Sequence, residues 1–205
     1  MEEVTFLGLE KDGCGELEEK KSRFIAAAHT VSDEKEAAAF LESIRKANPG
    51  ARHNVWAYAL RNGAVRCSDD GEPQGTGGVQ LLEILKKSGV TDAMLVVTRY
   101  FGGILLGTGG LSRAYSGAAR LAFDDAGIKT LAEQTDFTLS CRYDDYQKIL
   151  AILPKFGAAV LSSDFGNGVS LSLTMPSSSF DAFRGKLTEM SAGRLEPDVT
   201  GKHLG

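Results

Sequence analysis

"TRYFGGILLGTGGLSRAY", residues 98–115, places five glycines (102, 103, 107, 109 and 110) and two arginines (Arg99 and Arg113) around the apolar run Ile104–Leu106. Glycine inside regular structure costs roughly 0.5–1 kcal/mol against alanine, so this density needs a cause. Either the chain turns tightly here, or its backbone comes close to a phosphate, a peptide or another strand. Before it, "AMLVVTRY" (93–100) is a continuous apolar run closed by arginine, which reads as a buried strand. After it, a helix is expected from about Thr108 to Ala126, with Leu111, Tyr115, Ala118 and Ala122 on one face.

Working back toward the N-terminus, the chain alternates strand-like and helix-like segments. "RFIAAAHTV" (23–31) reads as a strand, and 33–47 as a helix with Ala37, Phe40, Leu41 and Ile44 on one face and Asn48-Pro49-Gly50 as its stop. "NVWAYAL" (54–60) and "AVRCS" (64–68), joined by Arg61-Asn62-Gly63, form a predicted hairpin. A turn-rich loop, "DDGEPQGTGG" (69–78), leads into a short helix ending at Gly89.

Beyond Gly127 the order becomes strand (135–141), helix (144–156), a hairpin around Gly166-Asn167-Gly168, a helix with Phe180, Phe183, Leu187 and Met190 on one face, and a last strand "RLEPDV". This β-α-β-β-α-β order is the ferredoxin-like split βαβ unit. The expected fold is therefore α+β in two domains, 1–128 and 129–205, with the boundary near Gly127–Leu131. A chain of 205 residues has room for two such domains.

With 42% hydrophobic and 24% charged residues the composition is that of an ordinary globular protein. No stretch approaches the roughly 18 apolar residues of a membrane span, and the acidic start does not read as a secretory signal, so a cytoplasmic location is expected. Cys14, Cys67 and Cys141 are widely spaced, and His29, His53 and His203 are scattered, so neither a disulfide framework nor a zinc site is expected. Net charge is −4, whereas nucleic-acid modules usually carry a basic balance. Any RNA contact must use a local patch.

The two glycine-rich loops hold nine of the 24 glycines. Neither a Walker loop nor a spaced G-x-G-x-x-G with a downstream acid is present. Thr108, Gly109 and Gly110 lead into a helix whose first amides can attract an anion, or Thr108 simply caps it. Arg113, Ser116, Gly117 and Arg120 form a second helix face, either solvated or open to close approach by a partner. Asp69, Asp70 and Glu72 could bind a divalent cation, act as acid and base, or form turns. "KKSRF" (20–24) brings Lys20, Lys21 and Arg23 to the start of a strand, and His53 stands near Trp56, which is assigned to the core rather than to base stacking.

"KKSRF", "HNVWAYAL", "SDDGEPQGTGG" and "VVTRYFGGILLGTGGLSRAY", in this order and spacing, resemble the IMPACT family, in its bacterial YigZ-type branch. The resemblance covers about residues 15–127, and the βαββαβ tail is similar to the small C-terminal domain of bacterial members. It implies an N-terminal domain folded like the second domain of small-subunit ribosomal protein five. The pair is then similar to domains four and five of elongation factor G, a fold-level analogy only. It also implies a link to translation, because eukaryotic relatives compete for the activator of a stress-responsive initiation-factor kinase. It transfers no catalytic residue, and no cofactor or metal is expected.

The expectation is therefore a non-enzymatic protein contacting RNA, the ribosome or a protein partner. Its candidate residues are Lys20, Lys21, Arg23, His53, Ser68, Asp69, Asp70, Glu72, Arg99, Gly102, Gly103, Thr108, Gly109, Gly110 and Arg113. The acids of "SDDGEP" are expected to pair with Arg99 or Arg113. The alternatives are a protein-interaction module docking through the 108–126 helix and the ferredoxin-like sheet, and a phosphate-ester hydrolase using Asp69, Asp70 and Glu72.

Overall fold

The apolar run at 93–100 does form a central strand, buried along both faces, and the N-terminal half is built around it. A computed structural model describes residues 5–205. The first half contains β1 (Thr5–Leu9), β2 (Gly13–Glu19), β3 (Ser22–Thr30), α1 (Glu34–Ala47), β4 (His53–Ala59), β5 (Val65–Ser68), α2 (Gly78–Ser88), β6 (Ala93–Tyr100) and α3 (Gly107–Ala126). The second contains β7 (Ile128–Cys141), α4 (Tyr143–Ile152), β8 (Ala159–Phe165), β9 (Val169–Pro176), α5 (Ser177–Ser191) and β10 (Asp198–Leu204). Packing separates the described chain into two compact units, one of residues 6–130 and the other of residues 131–205 together with Thr5.

In the first unit one antiparallel sheet runs β2-β3-β6-β4-β5. The side-chain period of two sends Phe24, Ala26, Val55, Ala57, Leu95 and Val97 to one face, under α2 and α3 with Leu81, Leu85, Tyr115 and Ala118. Met94, Val96 and Tyr58 go to the other, under Ala37 and Leu41 of α1. Helices on both faces explain why β6 lacks polar alternation although the sheet is antiparallel. Trp56 packs half-buried against this second layer, with its ring stacked on Tyr58 at 5.7 Å. Asp33 caps α1, its carboxylate accepting the Glu36 N–H at 2.7 Å.

Strands β1 and β2 fall in a segment for which the sequence predicts no element. "GCGELEE" lacks an apolar alternation because α3 lies almost on its backbone. A Cβ on Gly13 would stand 2.1 Å from the Ala122 carbonyl oxygen, and one on Gly15 2.7 Å from the Ala122 nitrogen. On the α3 face expected to be solvated or open to a partner, Gly117 lies against Leu17, whereas Arg113 and Arg120 are exposed.

The other sheet has the strand order β10-β7-β9-β8, antiparallel throughout, with β1 also paired to β7, and its last four strands and two helices follow the βαββαβ sequence of a ferredoxin-like domain. Phe137, Leu139, Leu171, Leu173 and Met175 pack against Ile149, Phe183 and Leu187 of α4 and α5. The last strand begins where the predicted one ends. Pro197 has no N–H to give a ladder, so pairing starts at Asp198, and Leu195 turns into the core instead. No helix among the described residues is long and apolar enough to cross a membrane.

Candidate functional site

The register of the N-terminal sheet gathers the glycine loops at one end. Arg23 lies opposite Tyr100, His53 opposite Arg99 and Trp56 opposite Ser68, so the starts of β3 and β4 and the ends of β5 and β6 line up. The loop that leaves β5 is held by its own acids. The Asp69 carboxylate accepts the N–H groups of Gly75, Gly77 and Gly78 at 2.8–2.9 Å, binding the loop to the first turn of α2. Burial pushes this carboxyl up, but the N–H donors of Gly75, Gly78 and Gly77 outweigh it and hold it below the ordinary aspartate range.

Asp69→Ala is accordingly expected to cost about 2 kcal/mol at neutral pH, as the loss of a charge-assisted cap. Because the folded carboxyl is the more acidic, its contribution is complete above the unfolded value near pH 4 and is lost as pH falls through the lower folded value. Chemical denaturation of both proteins at neutral pH and in acid should show the gap between them closing in acid.

Asp70 sits in the left-handed region, with φ 46°. Its N–H donates to the Ser68 hydroxyl at 3.1 Å, and its carbonyl accepts His53 Nδ1–H at 2.8 Å, which leaves Nε2 as the free ring nitrogen. Its carboxylate accepts the Asn54 N–H at 2.7 Å and a guanidinium N–H of Arg45 at 3.0 Å. The expected partner, Arg99 or Arg113, is thus replaced by Arg45. The bond to the β4 backbone directs this carboxylate toward the last turn of α1, away from β6.

Glu72 is the acid that reaches Arg99. One carboxylate oxygen accepts from the Arg99 guanidinium at 2.6 Å and from the Tyr115 hydroxyl at 2.8 Å, with the two charged side chains only 4% and 8% exposed. Burial and then the bond to Glu72 push the Tyr115 phenol far up, so it stays a donor. Arg99 also lies over the rings of Phe24 and Phe101, each at 5.5 Å, and its Nε has no acceptor. All three acids of the loop are therefore engaged with different partners. Among the described residues no cluster of three or more His, Cys, Asp or Glu is placed to hold a metal ion.

Lys20 and Lys21 form the two-residue turn between β2 and β3, both with positive φ, 47° and 64°. Gly102 lies against that turn: a Cβ there would stand 2.0 Å from the Lys21 carbonyl carbon, and the Gly102 N–H donates to the Ser22 hydroxyl at 3.1 Å. Gly103 and Gly107 take φ of 85° and 73°, which carries the chain into α3. Helix α3 has no side-chain cap, and Thr108 lies inside its first turn, so the capping role considered for Thr108 is not found. Gly110 backs onto Leu106, and the exposed Gly109 neighbours the Arg113 guanidinium.

Lys20, Lys21, Arg52 and Arg113 have no acidic partner among the described residues. Arg23 differs: it is exposed but paired with Glu16. Arg52, His53, Arg99, Phe101 and Leu105 enclose a cleft of about 220 Å³. Of these, Arg52, Phe101 and Leu105 escape sequence reasoning. The sequence carries no signal for them beyond apolar side chains inside a glycine-rich turn; in the structure Leu105 is 83% exposed and Phe101 44%.

Residues 20–123 match the model of the Impact N-terminal domain, and residues 139–194 match a domain of unknown function, DUF1949. The chain is 40% identical over 182 residues to the IMPACT family member YigZ of Escherichia coli, covering 86% of this chain and 89% of that protein. It is 33% identical over 194 residues to YvyE of Bacillus subtilis, covering 94% and 89%. Protein IMPACT of Xenopus laevis matches a shorter segment, 62 residues at 40% identity, or 28% of this chain and 19% of that one. A crystal structure described only as that of a hypothetical protein superposes with a TM-score of 0.66 at 35% identity, covering 98% and 99% of the two chains. The Impact N-terminal match spans half of the chain and holds the loops that build this end of the sheet, and relatives at 33–40% identity are matched over 89% of their length: the chain belongs to the IMPACT family.

Proposed function

We propose that this chain is a cytoplasmic, non-enzymatic protein linked to translation, which contacts RNA or the ribosome through the glycine-loop end of its N-terminal sheet. The observation that carries this reading is the set of cations without acidic partners, Lys20, Lys21, Arg52 and Arg113, around one loop cluster. The acids of the same cluster support it. Asp69, Asp70 and Glu72 are held by N–H groups, arginines and a tyrosine, so they do not cancel the exposed cations. In this reading Ser68 and the three acids hold the loop shape, Gly102 and Gly103 let the backbones approach, and Thr108, Gly109 and Gly110 open the start of α3 beside Arg113. The link to translation rests on family membership.

With net charge −4 the binding is local and salt-sensitive. Lys20→Ala with Lys21→Ala is expected to weaken ribosome or RNA binding at low salt, and to flatten the slope of log affinity against log salt by about 1.4 for two lost contacts to single-stranded phosphates. The melting temperature should hardly change, since alanine keeps the same Cβ in the turn. Co-sedimentation with ribosomes and RNA at two salt concentrations measures this. Absence of wild-type binding at both salts overturns the reading. The exposed Phe101, Ile104 and Leu105 favour one second reading, an apolar docking surface for a translation-related protein, and its mark would be binding that salt leaves unchanged.

A further inference from the structure

The cleft behind the Lys20–Lys21 turn has a chemistry that the neighbouring cations alone do not. Two donors with no acceptor among the described residues border it, the exposed Arg52 guanidinium and the buried Arg99 Nε, together with His53 Nε2, an acceptor with no donor. Arg52 keeps its charge uncompensated, and the ion pair of Arg99 with Glu72 leaves Arg99 Nε without an acceptor. Asp70 is held by Asn54 and Arg45, and Glu72 faces Arg99 Nη1 and Tyr115. The opposite wall is apolar, from Phe101 and Leu105. The Arg99 guanidinium lies over the Phe101 ring, yet Phe101 as a residue keeps 44% exposure. An aromatic ring backed by a guanidinium and bordered by further cations is the arrangement on which single-stranded nucleic acids stack a base and rest a phosphate.

Volume narrows the occupant. About 220 Å³ lies below the roughly 300 Å³ at which enclosing small-molecule pockets begin, so the cleft takes a fragment of a longer ligand. The rim is positive and the wall aromatic, which suits one nucleotide better than an acidic peptide, whose carboxylate side chain brings no ring to cover Phe101.

We propose that this cleft is a single-nucleotide subsite: an unpaired base stacks on Phe101, its phosphate is held by Arg52, and His53 Nε2 accepts from a base N–H or the sugar hydroxyl. This rests on the RNA-contact reading above and makes it more specific. A duplex, whose bases stay stacked, can use the Lys20–Lys21 turn but not the cleft.

Fluorescence anisotropy with a labelled single strand of about 12 adenylates, and with an RNA duplex of equal length, tests it. The wild type should prefer the single strand. Phe101→Ala should weaken single-strand binding about tenfold, leaving duplex binding and the salt slope unchanged. Phe101→Leu, which keeps apolar bulk but loses the aromatic face, should show the same loss, and Phe101→Trp should restore affinity. If Phe101→Leu and Phe101→Ala bind the single strand as the wild type does while RNA binding persists, the subsite is wrong and the broader reading stands. If the wild type binds neither RNA, both fall. If these variants lose ribosome association but keep naked-RNA affinity, the cleft belongs to a protein partner and the subsite is overturned.

Discussion

Glu72→Ala lowers the stability of the N-terminal unit by about 3–5 kcal/mol, the expected cost of removing one member of a buried ion pair. The reason lies in what stays behind. Arg99 is 8% exposed and its Nε already lacks an acceptor, so losing Glu72 leaves the guanidinium with only the Ser22 hydroxyl at 3.5 Å. The Tyr115 hydroxyl loses its acceptor in the same step. A melting temperature lower by roughly 10–15 °C is expected for a unit of this size. Glu72→Gln should fall between the two, because an amide oxygen still accepts but carries no charge. Replacing both partners by apolar residues, Glu72→Leu with Arg99→Met, should recover much of the loss, since no charge then remains buried. A double mutant as unstable as Glu72→Ala would show that the pair supplies shape rather than charge balance.

Gly102→Ala is the second large effect, from a different cause. The added Cβ would meet the Lys21 carbonyl carbon at 2.0 Å, its oxygen at 2.1 Å and the Ser22 nitrogen at 2.4 Å. These are backbone atoms of a tight turn and cannot rotate away as a side-chain tip can. Either the β2–β3 turn or the loop must shift, at a cost of about 3 kcal/mol, the upper end for overpacking. The same shift breaks the bond from the Gly102 N–H to the Ser22 hydroxyl. Gly103→Ala is the useful contrast. Its φ of 85° is strained for alanine, but nothing lies within 4 Å, so only about 1 kcal/mol is expected. Equal melting temperatures for the two variants would mean that the close approach at Gly102 is not what selects glycine there.

These two positions show what the sequence reveals. Periodicity places β3, α1, the β4–β5 hairpin, α2, β6 and α3, because each carries its apolar face within its own residues. It says nothing of β2, whose glycines answer to Ala122 more than a hundred positions later. The contact of a loop acid with Arg99 was open to charge reasoning, since Glu72 is one of few acids near a strand-ending arginine. Arg45 as the partner of Asp70 was not, because it depends on the last turn of α1 reaching the start of β4. The cleft was hidden for a similar reason. Phe101 and Leu105 are apolar by type, and only their exposure identifies them as surface.

The bonds that close this end of the sheet join residues far apart along the chain. Gly102 and Ser22 are 80 positions apart, Arg99 and Ser22 77, Thr98 and Asn54 44, and Tyr115 and Glu72 43. Loop-closure entropy must be met before any of these contacts gives a return, so the cluster forms late in folding rather than as a local nucleus. During synthesis the cations of the Lys20–Lys21 turn leave the ribosome well before Arg99 and α3 exist to shape the cleft beside them. Until α3 is complete the nascent chain carries the positive charges without the geometry, and the cleft proposed as a nucleotide subsite appears only once the whole N-terminal unit has folded.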